Sequence, residues 1–184
     1  MKPIFLAAAL GAAALCTASL SACVAGPVGN PHPPQPAKPV DLERYAGKWY
    51  EVARYDMRFE KGCEGVTAEY SRRPDGLIRV LNTCRKGAVD GPVKVSEGKA
   101  KIADASTNAK LKVSFFGPFF FGDYWVLDHA DDYGWSIVGE GSGRYLWLLS
   151  RKLPTDADRA ALTARAKALG YDVSLLRPTR QPAP

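Results

Sequence analysis

The sequence predicts an all-β domain: an eight-stranded up-and-down antiparallel barrel with one C-terminal α-helix packed outside. Three observations carry this. From Gly47 onward the chain runs in about eight short segments that alternate apolar and polar residues or are dense in β-branched and aromatic ones. The connections between them are brief and rich in Gly, Pro, Asp and Asn, as hairpin turns require. A single capped amphipathic stretch stands near the end. A two-sheet sandwich of the same strands satisfies this pattern as well, and no internal repeat of solenoid length is visible.

The elements follow in order. Lys48 to Tyr55 (KWYEVARY) is the first strand. Val66 to Ser71 and Leu77 to Asn82 flank the turn Arg73-Pro74-Asp75-Gly76 and make a hairpin. Val93 to Ile102 and Ala109 to Phe116 alternate along their length. Tyr124 to Asp128, Gly134 to Val138 and Tyr145 to Ser150 complete the set. Thr155 with Asp158 reads as a capping box. Ala160, Ala161, Ala164, Ala168 and Leu169 supply an apolar stripe, and Gly170 stops the helix. Tyr171 to Leu176 adds a last short strand.

Ahead of the domain lie a leader and a tether. Lys2, the apolar run Ile4 to Leu15 and the tetrapeptide Leu20-Ser21-Ala22-Cys23 resemble a bacterial lipoprotein signal. The run is too short to span about 30 Å of hydrocarbon. The resemblance implies loss of residues 1–22, acylation of Cys23 and a lipid anchor. Val24 after the cysteine, where an Asp would favour the inner membrane, points to the outer membrane. Residues 24–40 (VAGPVGNPHPPQPAKPV) favour polyproline II and predict a semi-stiff spacer of roughly 50 Å at full stretch. The expected organisation is therefore 1–22 signal, 23–40 lipidated cysteine and tether, 41–184 barrel.

Composition narrows the function. The net charge of +6 is dispersed, without the Lys/Arg-rich run that marks nucleic-acid binding. Cys16 leaves with the leader and Cys23 is acylated, so Cys63 and Cys84 remain as a pair in an exported, oxidising setting, where a disulfide is expected. They flank the hairpin at Pro74-Asp75-Gly76 and fall close to opposite each other. Metal is not expected, because His32 and His129 are the two histidines and His32 lies in the tether.

Three motifs in order resemble the lipocalin family. Gly47-Lys48-Trp49 at the entry to the first strand is similar to its glycine–x–tryptophan signature. Asp132-Tyr133 is similar to the second motif, with Asp131 where the family has Thr. Tyr145-Leu146-Trp147-Leu148-Leu149-Ser150-Arg151 is similar to the third, and Lys112 to Pro118 resembles a segment of bacterial lipocalins and apolipoprotein D. The resemblance covers about Val40 to Leu176. It implies a calyx for a small hydrophobic ligand, fatty acid or lysophospholipid in the bacterial branch, and a homodimer as one arrangement. Gly47, Trp49, Asp132, Tyr133 and Arg151 are then structural. Trp49 plugs one end and Arg151 stacks on its indole.

Strand periodicity nominates the ligand contacts. If Trp49 points inward, alternation places Glu51, Ala53 and Tyr55 on the same inner face. Counting back from Arg151 places Leu149, Trp147 and Tyr145 inward, the last two nearer the mouth. Phe115 and Tyr124 join them, so the expected ligand-binding set is Glu51, Tyr55, Phe115, Tyr124, Tyr145 and Trp147. Five phenylalanines in Phe115-Phe116-Gly117-Pro118-Phe119-Phe120-Phe121 cannot all face one core, so some are expected at the surface. No catalytic constellation stands out. Gly139-Glu140-Gly141-Ser142-Gly143 reads as a hairpin loop rather than a nucleophile elbow, and no phosphate loop or cofactor motif is present. A lipid carrier, an enzyme acting on a small hydrophobe through Glu51, and an envelope lipoprotein with a filled barrel are separable by co-purifying ligand, by turnover lost in Glu51→Gln, and by an empty, cavity-free interior.

Overall fold

The computed structural model describes residues 26–183. Eight antiparallel strands run β1 Gly47–Tyr55, β2 Cys63–Arg72, β3 Ile78–Lys86, β4 Val93–Ile102, β5 Lys110–Ser114, β6 Gly122–His129, β7 Trp135–Gly139 and β8 Leu146–Ser150. Each pairs with the next, and β1 pairs with both β2 and β8, which closes the barrel. A short helix α1, Leu42–Tyr45, precedes β1 and sits under one end. A ninth strand, β9 Leu176–Pro178, takes the place beside the upper half of β1 that β2 has left. The closed barrel removes the sandwich alternative and leaves β9 as the extra edge.

The second helix, α2 Asp156–Ala168, begins at the expected capping box, with Thr155 Oγ1 accepting from the Asp158 amide and Asp158 accepting from the Thr155 amide. Its buried face is Leu162 and Ala166, with Leu169 partly buried. The expected stripe Ala160, Ala161, Ala164 and Ala168 faces solvent. Leucine decides the orientation because it buries far more area than alanine at adjacent positions. The chain beyond the helix also differs from expectation. Val173–Leu175 is a 3-10 turn, and the short strand starts only at Leu176.

Two apolar layers result. The barrel interior holds Tyr45, Trp49, Tyr70, Val80, Leu111, Val126, Val138 and Leu149. Outside the wall, Val52, Ala53, Tyr55, Leu127, Ile137, Leu146 and Leu148 pack against Leu162, Ala166 and Tyr171. The central strands of the wall are thus buried on both faces.

The Pro-rich segment 26–40 is not a free spacer. It lies along the barrel wall: the Gly29 amide donates to Gly143 O at 2.9 Å, Asn30 Nδ2 to Leu169 O at 3.1 Å, the Ala37 amide to Leu127 O at 2.9 Å and the Val40 amide to Thr107 O at 2.7 Å. Gly143, at φ +67°, lets the segment come close, since a Cβ there would stand 1.7 Å from Asn30 O. Proline content gave the local backbone preference. The non-proline amides and an asparagine supply the donors that fasten it.

Cys63 and Cys84 are joined, with Cα atoms 5.3 Å apart and a sequence separation of 21. The loop they close implies a stabilisation of roughly 3 kcal/mol by the chain-entropy argument. The Cys63→Ala/Cys84→Ala variant should unfold at correspondingly lower urea. An unchanged midpoint would show that this link does not constrain the denatured chain.

Candidate functional site: the barrel interior

The end beneath α1 is sealed by the motif residues. Trp49 is fully buried, its Nε1 donates to Tyr45 O at 2.9 Å, and the Arg151 guanidinium carbon lies 3.9 Å from the indole centroid. Arg151 also donates to Ala46 O at 2.8 Å, Arg44 O at 2.5 Å and Lys48 O at 3.2 Å, so one fork caps the loop carbonyls under the barrel. Gly47, at φ +91°, is the residue over which this side chain passes: a Cβ there would meet Arg151 Nη1 at 3.3 Å. Asp132 Oδ1 accepts from the Gly134 amide at 2.8 Å, which shapes the β6–β7 turn. Tyr133, buried at φ +60°, accepts from the Asp41 amide at 2.8 Å and has Arg44 4.5 Å above its ring.

Above the plug, three tyrosines share one hydroxyl network. Tyr124 Oη lies 3.0 Å from Tyr45 Oη and 2.9 Å from Tyr70 Oη, and Tyr45 reaches Ser136 Oγ at 2.9 Å. Burial pushes all three phenols up, Tyr45 to about 12, so each stays a neutral donor at neutral pH. A cavity of about 250 Å³ opens here between α1 and the β2–β3 turn, lined by Tyr45, Tyr70, Ile78, Ile102, Leu111 and Tyr124 among others. Of the expected ligand contacts, Tyr124 alone lines it.

The upper interior differs from what strict alternation implies. Glu51 pairs with Leu149, and Ala53 with Leu148, so β1 carries one extra residue at Val52. This bulge reverses the parity of the rest of the strand. Ala53 and Tyr55 turn outward to the helix layer, where Tyr55 Oη donates to Asp172 O at 2.9 Å. Tyr55 is therefore not a lining residue, and Arg54 takes the inward place.

Arg54 is fully buried. It donates to Glu51 Oε1 at 2.5 Å, Thr179 Oγ1 at 2.9 Å, Glu60 O at 3.0 Å and Cys63 O at 3.1 Å, and its Nε stands 3.5 Å from Glu60 Oε2. Thr179 Oγ1 also donates to Glu51. Glu60, on the 3-10 turn Arg58–Glu60 of the β1–β2 loop, reaches down to accept from Trp147 Nε1 at 3.1 Å. One guanidinium thus faces two carboxyls. Burial drives Glu60 up to about 8, the Glu51 charge adds to this, and Arg54 opposes it. Burial likewise raises Glu51.

The sign for stability follows directly. Glu60 binds its proton more tightly in the fold than in the unfolded chain, so the fold gives up stability as pH rises from the ordinary glutamate range through about 8. Glu60→Gln should flatten that decline in urea midpoints between acid and mildly alkaline pH. A slope identical to the parent's would show that Glu60 titrates normally.

Trp147 and Leu149 face inward beside this cluster, and Tyr145 stacks on Trp147 with centroids 6.0 Å apart. Tyr145 is 37% exposed at the mouth, against Phe59 of the first loop at 5.9 Å. Phe115, 38% exposed, borders a second recess of about 170 Å³ with Gly98, Lys99, Ser114 and Gly117. The interior thus brings together Glu51, Trp147, Tyr145 and, deeper, Tyr124. It leaves Phe115 at the rim and excludes Tyr55. Arg54, Glu60 and Thr179 were missed by the sequence reading. Arg54 needed the bulge, Thr179 comes from a tail with no pattern, and Glu60 sits on a loop where period-2 counting stops. Cys23 lies outside the described residues. No group of three or more His, Cys, Asp or Glu with metal-holding geometry occurs among the described residues.

A plugged up-and-down barrel with this motif geometry matches the lipocalin-like domain over residues 40–181. The chain belongs to the lipocalin family. It is 41% identical to outer membrane lipoprotein Blc of Vibrio cholerae over 182 residues, 96% of each chain. It is 42% identical to the Blc of Escherichia coli strain K12 over 175 residues, 91% of this chain and 96% of that one. Rat apolipoprotein D is 39% identical over 129 residues, 63% of this chain and 65% of that one. Among solved structures, insecticyanin from Manduca sexta superposes with a TM-score of 0.64 over 80% of this lipocalin and 84% of that chain, at 22% identity, a likeness of fold.

Proposed function

We propose that this lipocalin is an outer-membrane lipoprotein, anchored through acylated Cys23, that binds fatty acids or lysophospholipids in its barrel and stores or carries them for envelope maintenance. The boundaries proposed are a leader at 1–22, an anchor segment at 23–40 and the barrel from 41. The relatives named Blc outer membrane lipoproteins, matched over nearly their whole length, support the location.

One observation carries the ligand class: the interior is charged where it meets Trp147, Glu60 and Arg54, and below that it is uncharged, lined by Leu149, Val80 and Leu111 with the neutral hydroxyls of Tyr45, Tyr70 and Tyr124 among them. An amphiphile fits such a gradient, with its tail below and its headgroup by the charged cluster. Glu51 is buried, and its Oε1 is held by both Arg54 and Thr179, so it serves as the partner of a buried cation. That favours binding over catalysis.

Trp147→Ala should weaken lysophospholipid or long-chain fatty-acid binding by about 1–3 kcal/mol, the scale of one large apolar contact. Titration calorimetry on the folded variant, with native mass spectrometry of the parent for co-purified lipid, tests this. Equal affinity in the variant would remove the interior beside Trp147 as the binding place.

A further inference from the structure

Segment 26–40 connects the two ends of the barrel. Its C-terminal end lies at the plug, where the Val40 amide meets Thr107 O in the β4–β5 turn and Pro39 O meets His129 Nε2 at 3.1 Å. Its N-terminal end lies at the mouth. Gly29 and Asn30 are held by Gly143 O of the β7–β8 loop, and Arg144 of the same loop donates to Gly26 O. Gly26 also sits beside Asp56, at the end of β1. From Gly26 to Cys23 is three residues, a reach of at most about 10 Å. A lipid attached to Cys23 is therefore held near the mouth and away from the plug.

The mouth has the surface that such a position requires. Phe116 is 87% exposed, Phe121 82%, Phe119 62% and Phe59 62%. The first three lie in the β5–β6 loop and the last in the β1–β2 loop, both at the open end by strand direction. Exposed Arg58, Lys61 and Lys94 stand among them, against exposed Asp56 and Asp90. Among the described residues the plugged end carries no exposed phenylalanine: its turns are polar, with Glu43, Asp75 and Asp131 in surface ion pairs with Arg72, Arg73 and Lys38.

We infer that the barrel rests mouth-down on an anionic bilayer leaflet, with the phenylalanines of the β5–β6 loop and Phe59 entering the headgroup–acyl boundary. The inference rests on the acylation of Cys23 proposed above. Acyl chains combined with an apolar, basic patch make a stable peripheral attachment, because each signal keeps the other within reach of the surface. The fastened segment 26–40 sets the orientation. Ligand then passes between bilayer and calyx without crossing bulk water.

The test uses the full acylated chain in vesicles of phosphatidylethanolamine and phosphatidylglycerol. A nitroxide is placed at Phe119→Cys near the mouth or at Ala105→Cys in the β4–β5 turn. Collision rates with oxygen, which partitions into lipid, and with a water-soluble nickel chelate are compared. The label at position 119 should favour oxygen and the label at 105 should favour nickel. Phe116→Ser/Phe121→Ser should shift the position-119 label toward water while the chain stays vesicle-bound. A bound chain whose label at 119 is as water-exposed as that at 105 would overturn the orientation alone. A label at 119 shielded from both reagents, with spin–spin broadening, would overturn it in favour of contact between two copies. An acylated chain that does not sediment with vesicles would overturn the anchoring reading and the orientation together.

Discussion

Trp49→Ala is expected to lower stability by about 3–5 kcal/mol, the upper range for deleting a buried aromatic side chain. Three losses coincide at this site. The indole is fully buried, it gives Tyr45 O its hydrogen bond, and it forms the surface on which Arg151 lies. Removing it leaves a void between α1 and the strand ends and leaves the Arg151 fork without its platform. A comparable loss on Arg151→Ala would come from three loop carbonyls, those of Arg44, Ala46 and Lys48. Urea unfolding followed by far-UV circular dichroism reads both. Ligand preference of the remaining folded protein should not change, because both residues lie below the tyrosine layer. If Trp49→Ala unfolded at the parent's midpoint, the plug would have to be something else.

Arg54→Ala should be equally damaging, about 3–5 kcal/mol, because breaking a buried pair from one side strands the other charge. Here it strands two, since Glu51 and Glu60 both face the guanidinium. The loss should deepen as pH rises past about 8, because below that Glu60 escapes by keeping its proton and above it a further stranded charge appears. Adding Glu51→Gln to Arg54→Ala should recover part of the stability. Denaturant midpoints of the single and double variants at pH values below and above about 8, where Glu60 titrates, make the comparison. A double variant no better than the single one would show that the electrostatics of this cluster are not what holds it.

The strands were legible wherever turn chemistry and alternation agreed, as at Arg73-Pro74-Asp75-Gly76 between β2 and β3. Helix α2 was legible from its cap but not from its face: alanines mark helix propensity, whereas Leu162 and Ala166 mark contact. In the interior, β8 could be counted from Arg151 back to Trp147 because that strand is regular. Strand β1 could not, because one inserted residue at Val52 turned Tyr55 out and Arg54 in.

Through motifs that resemble those of lipocalins, the sequence implied the barrel and the plug of Trp49 and Arg151; by itself it determined the all-β class with one late helix, the Cys63–Cys84 link and the excess of phenylalanine over core. These are local or count-based properties: turn residues, periods, paired cysteines, apolar residues that outnumber inward places. Tertiary structure alone decided that Arg54 sits between two carboxyls, that Thr179 from the far end of the chain joins them, and that segment 26–40 is fastened to the wall. Each depends on a backbone shift or a long-range approach. A one-residue bulge or a glycine contact produces either at small energetic cost, and neither leaves a period in the sequence.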